Sequence, residues 1–131
     1  MSESKTILVC GSRGWRDGDL IQATLRDHIV GSPTSYTLIH GNANGADRMA
    51  GYLGAAWGMR VISFPADWDK HGRAAGPIRN QQMLDEGKPS LVLAFNLGTP
   101  GTNDMISRAK KAGIEVHEVC PLRLGAREVV R

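Results

Sequence analysis

Cysteine is scarce in this 131-residue chain: Cys10 and Cys120 stand far apart, each at the end of an apolar run. That excludes a disulfide framework and a Cys-based zinc site. His40 and His117 have no metal-ligand spacing to a Cys or another His, so no metal is expected, and no other cofactor is called for. Aromatic residues make up 5% of the chain and no basic block occurs. A single-stranded nucleic-acid groove wants both stacking aromatics and clustered positive charge, so nucleic acid ranks last among the expected partners. The net charge of +3 is mild and suits small anions. No apolar run reaches the length of a membrane span and the N-terminus shows no signal-peptide core, which sets the expectation of a cytoplasmic protein with no membrane partner. Two nucleotide signatures are also missing: there is no G-x-G-x-x-G and no Gly-Lys-Ser/Thr.

What the chain does have is three glycine-rich loops, each directly after a short apolar run. Ile7-Leu8-Val9-Cys10 leads into Gly11-Ser12-Arg13-Gly14, Leu38-Ile39 into His40-Gly41 through Gly45-Ala46-Asp47, and Leu91 to Phe95 into Gly98-Thr99-Pro100-Gly101-Thr102. A strand, a glycine loop and a helix in succession present backbone N–H groups and a helix N-terminus to an anion.

The periodicity predicts strands near 6–10, 36–40, 60–64, 90–95 and 115–119. The first and fourth are continuous apolar runs, as strands covered on both faces should be. The fifth alternates and reads as an edge. Four helical segments lie between them. Asp17 or Asp19 caps the first, which carries Ile21, Leu25 and Ile29. Ala46, Met49, Ala50, Leu53 and Trp57 stripe the second. The third opens at Gly76-Pro77 and runs to about Glu86. The fourth carries Met105, Ile106, Ala109 and Ala112, with Thr102 or Asn103 as its N-cap in the simplest reading and Gly113 as its C′ residue. The stretch 65–75 reads as a long irregular loop. Strict alternation predicts an α/β, Rossmann-like, doubly wound parallel five-stranded sheet, in the common order 3-2-1-4-5, with helices on both faces. Residues 1–120 form one nucleotide-binding domain in this reading, and 121–131 a short basic tail.

In that order the loops after strands 1 and 4 flank the topological switch point, where α/β sheets take their ligands. Gly101 and Thr102 at a helix start form an anion seat. Arg13 sits just past a buried strand. Arg79 and Asn80 fall near the start of the third helix, where an arginine can fork a phosphate; its alternative is an ion pair with Asp85 or Asp69. Trp68 suits base stacking and His71 proton transfer, with packing as the plainer role for the tryptophan. Asp47 reads as a first-turn capping or dipole residue, or as a ribose contact.

Together these stretches, with Ala66-Asp67-Trp68, Gly76 through Asn80, Met83 and Ala94-Phe95, resemble the YspA-related (cpYpsA-like) branch of the SLOG superfamily, related to the Lonely Guy phosphoribohydrolases and DprA-type proteins. The resemblance covers residues 6 to about 119 and implies a nucleotide-type ligand such as AMP, ADP-ribose or an NAD derivative, and a homodimer or higher homo-oligomer. Ligand contacts then fall on Gly11, Ser12, Arg13, Gly41, Asp47, Asp67, Trp68, Arg79, Asn80, Gly98, Thr99, Gly101 and Thr102. Lonely Guy enzymes cleave nucleoside 5′-monophosphates with an arginine and a glutamate. Arg79 matches the arginine, but Met105 stands at the glutamate position and Asp104 one residue early, about 100° away on a helix. The resulting expectation is a sensing or sequestering module. A phosphoribohydrolase using Arg79 and Asp104 is the first alternative, and DprA-like binding of single-stranded DNA the second.

Overall fold

The computed structural model describes residues 5–121. Five parallel strands, β1 (Lys5–Gly11), β2 (Tyr36–His40), β3 (Arg60–Ser63), β4 (Leu91–Phe95) and β5 (Glu115–Val119), form one sheet in the order β3-β2-β1-β4-β5. Between them lie α1 (Gly18–His28), α2 (Ala46–Ala56), α3 (Trp68–His71), α4 (Ala75–Gly87) and α5 (Pro100–Lys111). The expected α/β architecture and strand order are therefore those of the molecule.

The two-residue period of a strand divides the apolar side chains of the central strands between two cores. Ile7, Val9, Leu38, Leu93 and Phe95 face α1 and α2, where they meet Trp15, Ile21, Leu25, Ala46 and Ala50. Leu8, Cys10, Ile39, Val92 and Ala94 face the other way, onto Met83 and Leu84 of α4 and Met105, Ile106 and Ala109 of α5. Each fully buried aliphatic side chain contributes about 1.5–3 kcal/mol. Trp15 packs edge-on against Phe95 with ring centroids 5.3 Å apart, so it is a core residue beside the β1 loop.

Local signals explain most helix ends. Asp17 caps α1 by accepting from the Leu20 N–H at 3.0 Å, with Asp19 in the first turn. Ile29 is the C-cap of α1 and still packs against the core that holds Ile21 and Leu25. Gly113, at φ 78°, follows the Ala112 C-cap of α5. Gly87 is the last helical residue of α4, where a Cβ would collide with the Ile39 side chain, and Lys88 is the left-handed C-cap at φ 46°, ψ 56°.

Two expectations are corrected. The stretch 65–75 is mostly helical: α3 spans Trp68–His71, a 3₁₀ turn follows over Gly72–Ala74, and α4 begins at Ala75, with Pro77 inside its first turn. Asp67 caps α3 through the Lys70 N–H at 3.1 Å, a local hydrogen bond that starts a helix too short to show an apolar stripe. The N-cap of α5 is Thr99, with Pro100 in the first turn, and not Thr102 or Asn103. Of the basic tail, residues 122–131 lie outside the described residues. Among the described residues no helix is long and apolar enough to cross a membrane.

Candidate functional site

A crevice with a cavity of about 360 Å³ opens at the carboxyl ends of β1 and β4, where the crossovers diverge to opposite faces of the sheet. Pockets for small molecules fall in this size range. One wall is the β1 loop, and the facing wall is the β4 loop with the start of α5. The Ser12 hydroxyl ties them: Oγ lies 2.7 Å from Thr99 Oγ1 and accepts from the Leu97 N–H at 2.9 Å. Thr99 Oγ1 in turn lies 3.2 Å from Thr102 Oγ1. The Gly101 and Thr102 N–H groups stand in the first turn of α5, where no intrahelical acceptor exists, and both residues line the cavity. Nothing lies within 4 Å of where a Gly101 side chain would start, so the space beside this residue is open.

Gly11 and Gly45 of the other loops serve packing. A Cβ on Gly11 would come within 2.8 Å of the Phe95 carbonyl oxygen and 2.5 Å of Ala46 Cβ. Gly45, at φ 83°, lies against the Ser12 and Arg13 carbonyls, both 2.6 Å from a Cβ built there. These contacts bring the N-terminus of α2, and with it Asp47, up to the β1 loop.

Arg79 lies across the crevice from α4. Its Nη1 donates to the carbonyls of Gly41 and of Phe64 (3.3 Å), and its Nε to Asn80 Oδ1 at 3.1 Å. The expected alternative, an ion pair with Asp85 or Asp69, does not form; Asp85 accepts instead from Gln81. Burial lowers the Arg79 pKa, opposed by the neighbouring Asp47 carboxylate. Arg13 reaches out from the β1 loop, and its guanidinium carbon lies 5.7 Å from the centre of the Trp68 ring. Trp68, on α3, is half-exposed at the rim.

Asp47 is the buried charge of the site, only 4% exposed. Its Oδ2 accepts from the Gly41 N–H at 2.9 Å and the Ala43 N–H at 3.4 Å. Its Oδ1 is buried without a hydrogen-bond partner. Burial pushes the carboxyl up from 3.8 to about 6, opposed chiefly by the Ala43 N–H, the Arg79 guanidinium and the Gly41 N–H.

The crevice thus gathers Gly11, Ser12, Arg13, Asp47, Trp68, Arg79, Asn80, Thr99, Gly101 and Thr102 on its walls. It does not include Gly41, whose carbonyl anchors Arg79; Gly98, which turns the β4 loop at φ 87°; or Asp67, the cap of α3. Asp104 lies off the wall, and its Oδ2 accepts from Asn80 Nδ2 (3.0 Å) and Arg108 Nε (2.8 Å). Met105 is fully buried in the core beneath α5. Sequence reasoning missed Cys10 and Met83 as parts of the wall. Their signal was position: Cys10 ends the β1 run, and Met83 is one helical turn after Arg79. Burial raises the Cys10 thiol pKa, so it is a neutral wall group. Among the described residues no cluster of three or more His, Cys, Asp or Glu side chains is arranged to hold a metal ion.

Comparison with known proteins places this geometry among relatives. The model of the YspA, cpYpsA-related SLOG family matches residues 5–71. The Gene 61 protein of Mycobacterium phage D29 is 39% identical over 120 residues, covering 86% of this chain and 94% of that protein. The structure of DNA processing protein A (DprA) from Streptococcus pneumoniae superposes with a TM-score of 0.72 at 16% identity. That match covers 96% of this chain but 56% of DprA, so the two share a fold over about half of the larger protein.

Proposed function

Because this chain belongs to the YspA, cpYpsA-related SLOG family, we propose that its crevice holds a nucleotide or nucleotide-derived ligand, of the AMP, ADP-ribose or NAD type, as a sensing or sequestering module. The observation that carries this reading is the convergence of three complementary features in one cavity. The open first turn of α5 suits a phosphate, as do the Arg13 and Arg79 guanidinium groups, and the Trp68 ring suits a base.

Binding without turnover is favoured over phosphoribohydrolysis by the state of the two candidate positions. Met105 packs in an apolar core, where a carboxylate would have no partner. Asp104, the nearby carboxylate, is held by Asn80 and Arg108 off the cavity wall.

Thermal melting across a nucleotide panel tests the reading. A ligand at one hundred times its dissociation constant adds about 2.7 kcal/mol and raises the melting temperature by several degrees. Arg79→Ala is expected to reduce that shift. No stabilisation by any nucleotide of the panel refutes the proposal, and release of free base on long incubation refutes the absence of turnover.

A further inference from the structure

Beside the crevice lies a smaller cavity of about 190 Å³ that shares Arg13, Trp68 and Arg79 with it. Arg48 of α2, with Asn42 and Asn44 of the β2–α2 loop, lines this cavity and not the crevice. Three guanidinium groups therefore border one small space, and no carboxylate lines it. Among the described residues the ion pair that forms is Arg108 with Asp104, so none of the three arginines is spent in a salt bridge. Burial lowers the Arg79 pKa; the Asp47 carboxylate opposes this, and the Arg13 charge adds to it. Asp47 thus offsets one positive charge from behind the wall, and two remain without a counter-charge.

The guanidinium groups are placed without being used up. Arg48 Nε donates to the Asn42 carbonyl at 3.3 Å and Nη1 to Asn44 Oδ1 at 2.8 Å. These bonds set the fork against the loop and leave Nη2 with no protein acceptor among the described residues. Arg79 likewise commits Nε and Nη1 to protein oxygens and leaves Nη2. Arg13 is positioned by the Trp68 ring, 5.7 Å from its centre, and not by an acid. Arginine forks with donors to spare match the oxygens of a phosphate, which they bind in pairs of charge-assisted hydrogen bonds.

Resting on the nucleotide reading above, we propose that this smaller cavity is a second phosphoryl subsite, centred on Arg48 and Arg13, and that the chain prefers nucleotides with two phosphoryl groups, nucleoside diphosphates and their pyrophosphate esters, to monophosphates. The placement of the walls carries the argument. The first turn of α5 borders only the crevice, Arg48 borders only the smaller cavity, and Arg13 and Arg79 border both. A single phosphate at the α5 turn leaves Arg48 without an anion. A second phosphoryl group joined to the first meets Arg48 across the two shared arginines. A base or a sugar hydroxyl in the smaller cavity would supply no negative charge to these groups.

The test is calorimetric titration of the whole chain with AMP, ADP and ADP-ribose. ADP or ADP-ribose is expected to bind at least tenfold more tightly than AMP, the gain of one further charge-assisted contact. In Arg48→Gln the ratio is expected to fall to within threefold. Lys110→Gln removes the same charge from an exposed site in the last turn of α5 and should keep the parent ratio. A gain with either diphosphate supports the subsite; a larger gain for ADP marks a terminal phosphate, and a larger one for ADP-ribose a bridging one. AMP and both diphosphates binding equally to the parent chain would overturn the second subsite and leave the nucleotide reading intact, with no variant needed. That same equality with tight binding of a dT15 oligonucleotide would give the arginines to a nucleic-acid backbone instead. A ratio unchanged in Arg48→Gln, or lowered as much in Lys110→Gln, would overturn the role of Arg48. No binding by any nucleotide would overturn both readings.

Discussion

Replacing Ser12 by alanine probes whether the two walls of the crevice are held as one unit. Ser12 is 2% exposed, and its hydroxyl both accepts from the Leu97 N–H and pairs with Thr99. Each hydrogen bond is worth about 1 kcal/mol net, and the orphaned Leu97 N–H adds a share of its desolvation, so Ser12→Ala is expected to cost about 2–3 kcal/mol. Thr99→Val keeps the shape of the side chain and removes its contacts to Ser12 and Thr102, for about 1 kcal/mol. Both variants delete the same Ser12–Thr99 bond, so the double variant should be less destabilised than the sum, by a coupling of about 1 kcal/mol. Urea unfolding of the four proteins reads this from the midpoints, with an unchanged slope as the check that only stability moved. Single effects that add to within about 0.3 kcal/mol would refute a staple between these hydroxyls.

Two further outcomes concern stability. The Asp47 carboxyl is raised by burial from 3.8 to about 6, so the folded chain holds its proton more tightly than the unfolded chain does. The stability this supplies is therefore present at pH 4 and lost as pH rises to about 6, by roughly 3 kcal/mol. Asp47→Asn should gain on the parent chain by that amount between pH 4 and pH 7 in urea midpoints, and a pH-independent difference would refute the shift. Lys88→Gly relieves a non-glycine residue at φ 46° and should stabilise by about 1 kcal/mol, read as a rise in melting temperature.

The sheet was legible because β1 and β4 announce themselves as unbroken apolar runs, and because Asp17 and Gly113 punctuate α1 and α5 with local chemistry. The short α3 was not, since four residues between Asp67 and Gly72 are too few to show a period. The crevice was legible in outline from the loops that follow β1 and β4. The division of labour within it was not. Gly11 and Gly45 are needed because other chain segments press against them, and the sequence does not display those neighbours. The same holds for Arg79, whose carbonyl partners lie 15 and 38 residues away. The unpaired oxygen of Asp47 is likewise a property of the assembled packing, invisible in a row of residues.

The Ser12–Thr99 contact joins residues 87 positions apart. Gly11 to Arg13 and Asp47 come from the first half of the chain, Arg79, Asn80 and Thr99 to Thr102 from the second. Neither half owns the pocket: a fragment ending before α4 keeps Asp47 and Arg13 and loses Arg79 and the first turn of α5. The cavity therefore comes into being only once β4 has docked on β1, and ligand occupancy becomes a report on that long-range pairing.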